Sequence, residues 1–140
     1  MKDITLKITG KQIFDGSEEE QMEFVTDGKL YLRNDAVYVV YDESDISGLA
    51  GCKTTLKLKD NTVKMRRTGV AGYGTELYFE EGKRFSNIYN TPYGDMGIEV
   101  LTASVKTELD GDYAGKISIA YDVSMEGMAE GKNQITIDIL

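Results

Sequence analysis

TTLKLKDNTVKMRR, Thr54 to Arg67, alternates apolar and polar residues on both sides of an Asp60-Asn61 pair. Alternation at period two is the mark of a half-buried β-strand, and Asp-Asn suits the positive backbone angles of a two-residue hairpin turn. With that turn, Leu58 lies opposite Val63, Leu56 opposite Met65 and Thr54 opposite Arg67, so both apolar sets share one face. The same register turns Arg67 inward, beside Leu56, Val63 and Met65. A second hairpin behaves alike: Asn34-Asp35 places Leu32 opposite Val37 and Leu30 opposite Val39.

The pattern extends through the 140 residues, from Ile4-Leu6-Ile8 near the start to Ile135-Ile137-Ile139 at the end. Strands are expected at Asp3–Phe14, Glu20–Thr26, Lys29–Arg33, Ala36–Asp42, Cys52–Lys59, Thr62–Thr68, Thr75–Glu80, Arg84–Asn90, Met96–Leu109, Lys116–Glu126 and Lys132–Leu140. Their connections are short and rich in turn residues, including Glu81-Gly82, Gly111–Gly115 and Gly127–Gly131, so neighbours in sequence should pair. The expected fold is all-β: one domain over 1–140, an antiparallel meander barrel of about 8–10 strands. Asp27-Gly28 cannot be a simple two-residue turn, because Met22/Phe24 and Leu30/Leu32 would then face opposite sides, and a bulged turn with a left-handed Gly28 is expected. Ile98 and Val100 share one parity, while Leu101, Ala103, Val105 and Leu109 share the other, which predicts a bulge near Val100 and Leu101. If the barrel is open between its first and last strands, edge pairing makes a homodimer.

Composition removes several chemistries. The chain has no histidine, no tryptophan and a single cysteine, which excludes histidine-based nucleophile systems, most zinc sites and an internal disulfide. A net charge of −8 and a pI near 4.6 oppose attraction to nucleic acid or to anionic membranes. With neither a signal-peptide pattern nor a long apolar run, a cytoplasmic location is expected.

The runs GLAGCKTTLKL (Gly48–Leu58) and YNTPYGDMGIEVLT (Tyr89–Thr102), the pattern of Val63, Met65, Arg67 and Gly69, and GKISIAYDV (Gly115–Val123) together resemble the YwiB-like family of small bacterial proteins of unknown function. That resemblance spans essentially the whole chain and implies a lipocalin-like, or calycin, β-barrel. It carries no activity, ligand or cofactor with it. The Gly-x-Trp signature of secreted lipocalins is missing here, so the kinship does not imply an extracellular carrier.

Arg67 is the residue most in need of explanation, because an inward guanidinium requires partners. Parity also turns Tyr41, Thr54 and Tyr121 inward, and together the four form a polar anchor suited to a carboxylate or phosphate head group. The alternative is that Arg67 pairs with an internal carboxylate inside a filled barrel. Lys53, Lys57, Lys59, Lys64 and Arg66 form an outward basic stripe, with Lys57 and Lys64 as cross-strand neighbours to be offset by Glu76 and Glu80 on the next strand.

Asp42, Glu43 and Asp45, like Asp110 and Asp112, lack the calcium-loop pattern and read as solvated turn carboxylates. Cys52 shares parity with Leu56 and reads as a small buried apolar group. Tyr73, between Gly72 and Gly74, reads as a lid or plain connection, and Pro92 as a structural turn residue. No catalytic residues, metal or cofactor are expected. The functional readings are a barrel that binds a small anionic or amphipathic ligand and, alternatively, a structural or protein-interaction module. An enzyme using arginine, tyrosine and carboxylate chemistry is the minor third.

Overall fold

The computed structural model describes residues 2–14, 18–43, 51–69, 75–91, 94–125 and 131–140. Ten antiparallel strands follow one another: β1 (Lys2–Phe14), β2 (Glu20–Arg33), β3 (Ala36–Asp42), β4 (Lys53–Lys59), β5 (Thr62–Thr68), β6 (Thr75–Glu80), β7 (Arg84–Thr91), β8 (Gly94–Leu109), β9 (Gly115–Met125) and β10 (Gly131–Ile139). They form one sheet in the order β6-β5-β4-β3-β2-β1-β10-β9-β8-β7. The sheet is a nearly closed barrel. Inward positions supply its core, with Leu6, Val39, Leu56, Val63, Met65, Phe79, Val100, Ile117, Ile119 and Ile137 almost wholly sequestered from solvent.

Both hairpin registers expected from sequence are present, Leu30 opposite Val39 and Thr54 opposite Arg67. Asn34, Asp35, Asp60 and Asn61 all carry φ between 50° and 63°, as a two-residue turn that follows the sheet's twist requires. Leu32 lies opposite Val37 as expected, yet its place near the barrel end leaves it 57% exposed.

Three expectations need correction. The turn at Asp27-Gly28 does not exist: β2 runs straight through, and Gly28 pairs with Ile4 on one side and Tyr41 on the other. An uninterrupted strand puts Met22, Phe24 and Leu30 on one face, which removes the parity conflict that had suggested a bulge. Glycine is required at position 28 by a close approach, since a Cβ there would lie 2.7 Å from the Val40 carbonyl oxygen and 3.0 Å from Leu6 Cδ1.

The phase switch of β8 comes at Ala103, between Thr102 and Ser104, rather than at Val100 and Leu101. Val100 and Thr102 are therefore both buried, and Leu101 faces out. The first and last strands are neighbours in the sheet, β1 and β10 pairing from Leu6 with Ile139 to Phe14 with Gly131, so the condition for edge pairing there is not met.

The seam instead separates β6 from β7, although these strands are consecutive and joined by the turn at Glu81-Gly82. The turn is tied to β8: the Gly82 amide donates to the Thr102 carbonyl, and the Thr102 amide donates to the Lys83 carbonyl. β7 accordingly pairs with β8 from Arg84 opposite Leu101 onward. Side chains bridge the gap. Asn87 Nδ2 donates to the Glu76 carbonyl at 2.8 Å, while Asn87 Oδ1 accepts from the Ile88 amide at 2.8 Å, so one side-chain amide stands where a backbone rung would be. Tyr78 and Phe85 pack beside it with ring centroids 6.3 Å apart.

Gly28→Ala is expected to destabilise the barrel by about 1–3 kcal/mol, because a backbone oxygen cannot yield without parting the β2–β3 ladder. Urea unfolding should show an earlier midpoint at unchanged slope.

Candidate functional site

In an up-and-down meander the strand ends alternate, so the C-termini of β1, β3, β5 and β9 and the N-termini of β2, β4, β6 and β10 meet at one end of the barrel. Two cross-strand rows reach that end. The first is Tyr41, Thr54 and Arg67, on β3, β4 and β5. The second is Gln12, Asn133, Tyr121 and Thr102, on β1, β10, β9 and β8. Polar residues replace apolar ones at these inward positions, while β8 continues beyond Thr102 with the buried Val100 and Ile98, and Arg67, Tyr121 and Asn133 share one recess.

Thr54 and Tyr41 are buried, and a buried carboxylate accompanies them. The Glu43 amide donates to the Cys52 carbonyl at 2.9 Å, which continues the β3–β4 ladder past Asp42 and keeps Glu43 on the inward parity of Tyr41. Thr54 Oγ1 donates to Glu43 Oε1 at 2.6 Å. Arg67 Nε lies 3.6 Å from the same oxygen, with the glutamate side chain 2% exposed and the arginine side chain 22% exposed. At that distance the contact is an ion pair without a hydrogen bond, and Nε is enclosed with no acceptor.

Tyr121 closes the other side. Its ring packs on Phe79 at 4.8 Å and 52°, which seals the barrel axis beneath it. Burial pushes the Tyr121 hydroxyl above the usual phenol range, and the Arg67 guanidinium pulls the other way. Tyr41 is likewise raised, first by burial and then by the Glu43 carboxylate, again opposed by Arg67.

Between these walls is a recess of about 360 Å³ lined by Arg67, Tyr121, Asn133, Met22 and Ile135, with Lys11 and Glu20 at its exposed rim. Asn133 Nδ2 is a second enclosed donor without an acceptor. Gly10 contributes room: a Cβ at Gly10 would lie 3.1 Å from Met22 Cε, so its absence lets Met22 lie across that strand. A larger recess, about 680 Å³, is an open groove over Gly28 walled by Asp3, Lys29, Asp42 and Lys53. There Lys29 is already paired with Asp3, so the groove has the features of a solvated surface.

Arg67, Tyr41, Thr54 and Tyr121 thus come together at one end of the barrel, but in two layers. Tyr41 and Thr54 lie deep with Glu43, while Arg67 and Tyr121 face the recess. Glu43 is a correction, because its grouping with Asp42 and Asp45 as solvated turn carboxylates fails: it shares the parity of Tyr41, and that was the signal to read. Asn133 shares the parity of Ile135, Ile137 and Ile139 and was overlooked as polar.

Asp110 shapes its own turn, its carboxylate accepting from the amides of Asp112 at 2.8 Å and Ala114 at 3.1 Å. Among the described residues no group of three or more acidic or sulfur ligands is arranged for a metal ion. Cys52 is buried and unpaired. In the basic stripe, Lys57 and Lys64 are directly opposed, and Lys64 meets Glu76 at 3.2 Å. Asp45, Tyr73, Pro92 and Gly127 lie outside the described residues.

Glu43→Ala, which strands Arg67 and Thr54 together, is expected to cost about 2–3 kcal/mol, and Glu43→Gln less because it preserves an acceptor for Thr54. Denaturant midpoints of the two variants check this order. For Tyr41 and Tyr121 the folded state favours the neutral phenol, so their contribution to stability is complete below about pH 10 and is lost as pH climbs beyond it. Phenolate absorbance should therefore show both ionising only together with alkaline unfolding.

Residues 6–137 match the family described as Domain of unknown function (DUF1934). The chain is 29% identical over 126 residues to the "Uncharacterized beta-barrel protein YwiB" of Bacillus subtilis (strain 168), covering 89% of this chain and 84% of that protein. The crystal structure of the ywiB protein from Bacillus subtilis superposes with a TM-score of 0.74 at 26% identity, over 99% of this chain and 92% of that one. Its sequence match and ten-stranded barrel alike make this chain a member of the DUF1934 family.

Proposed function

We propose that the protein is a cytoplasmic binding barrel that holds one small anionic molecule at the end of the barrel and performs no chemistry on it. The observation that carries the reading is the recess itself, which gathers Arg67, Tyr121 and Asn133 at one end of the barrel, with the Arg67 side chain still 22% exposed. Polar side chains gathered on the wall of one cavity suit an acceptor from outside. The guanidinium offers a planar set of donors, of which Glu43 engages one edge without a hydrogen bond. Tyr121 adds a hydroxyl that burial keeps protonated and therefore able to donate. Histidine, the commonest general base, is absent from the chain, and the one buried carboxylate, Glu43, is engaged by Thr54 and Arg67.

A second reading has its own support. The interior beneath Tyr121 is filled by fully buried side chains, and Arg67 already has an internal carboxylate, as a structural or interaction module would require. Binding separates the two. Isothermal titration and amide chemical-shift mapping with acetate, benzoate and phosphate should give saturable binding of at least one anion, with shifts at Arg67, Tyr121 and Asn133. Arg67→Met should abolish it, and Arg67→Lys should weaken it about tenfold, since a point charge replaces the fork. No saturable binding of any of the three would favour the filled-barrel module.

A further inference from the structure

We infer that the ligand of this recess is a monocarboxylate with a short apolar tail, and that the Tyr121 ring, braced by Phe79, sets the length of tail the site accepts. The inference rests on the binding reading above and goes on to name the class of ligand.

The charge around the site is nearly balanced before any ligand enters. Arg67 faces Glu43 at 3.6 Å, and the rim carries one cation, Lys11, and one anion, Glu20. A phosphate dianion would bring two negative charges close to the buried Glu43 carboxylate, where the poorly screened interior makes like-charge repulsion steep. A carboxylate brings one charge and two coplanar acceptors, which matches a guanidinium edge. Asn133 Nδ2 then supplies a donor to the remaining lone pairs.

Size and polarity limit the rest of the molecule. The recess, about 360 Å³, is at the small end of the roughly 300–1,000 Å³ that small-molecule sites occupy. Its apolar wall is Met22, Ile135 and the Tyr121 ring. Beneath that ring Phe79 is fully buried and in contact with it at 4.8 Å, so a tail cannot continue down the barrel axis as it would in an open-centred barrel. Met22, unbranched and lying over Gly10, adapts to the tail's shape.

The test is a titration of the full chain with acetate, butyrate, hexanoate, octanoate and decanoate, alongside methylphosphonate and inorganic phosphate. Affinity should rise by about threefold to fourfold per added methylene and then stop rising within the series, and acetate should outbind phosphate. Ile135→Ala, at a half-buried wall position, should move the plateau to a longer chain, and Phe79→Leu should do the same by loosening the brace behind Tyr121. If Phe79→Leu fails to fold, the Ile135→Ala result alone decides. Continued gain through decanoate, a plateau unmoved in Ile135→Ala, or tighter binding of phosphate than acetate would each overturn the monocarboxylate inference while leaving anion binding at Arg67 intact. Absence of binding by every probe would remove both it and the reading on which it rests.

Discussion

The pairing of β1 with β10 is the constraint on which the architecture depends. β1 lies between β2 and β10, so the chain's first strand has a ladder on both edges and the chain's two ends are joined within one sheet. Every other ladder links neighbours in sequence, which needs only short turns and local alternation. This one spans almost the whole chain, and its loop-closure entropy is offset only once the intervening strands exist. With the ends joined, two arms grow outward from β1 and β10, and they meet at β6 and β7 in the middle of the sequence. The position of the seam is therefore a consequence of the closure.

The closed end of the barrel and the polar end obey opposite rules. Around Ile117, Ile119, Ile137, Leu6 and Leu56 the interior is apolar and packed, with no groups that need water. One or two rows further along, the same inward parity delivers Thr54, Arg67, Tyr121 and Asn133. A guanidinium there is tolerable only because Glu43 enters on the same parity and because part of Arg67 still reaches the recess. Burying the pair entirely would incur the desolvation of both charges. Exposing it entirely would leave both side chains solvated, as in an ordinary surface ion pair. The intermediate depth is what gives the recess its chemistry.

The fold was legible because period-two alternation and Asn-Asp turns act locally, and nine of the ten strands begin and end within two residues of their expected bounds. The exceptions are instructive. Asp27-Gly28 looks like a turn in isolation, and only the close approach of Val40 and Leu6 explains why glycine stands in mid-strand. Glu81-Gly82 does turn the chain, but the competing bonds to Thr102 belong to β8 and leave no mark in the local sequence. In the site, Arg67, Tyr41, Thr54 and Tyr121 were legible by parity. Glu43 and Asn133 carry the same parity signal, but a carboxylate after a strand and an asparagine in one are usually solvated, and the rows formed across several strands are what distinguish these two from surface residues.

The seam also bears on how the edges of the sheet are protected. A sheet with free edges offers unpaired backbone groups to any passing strand, and such edges are the usual starting points of aggregation. Here the two strands with an unladdered side are consecutive, tethered by a three-residue link and held face to face by Asn87, Tyr78 and Phe85. Each edge shields the other, so the barrel needs no complete ring of hydrogen bonds to remain a closed object among its neighbours.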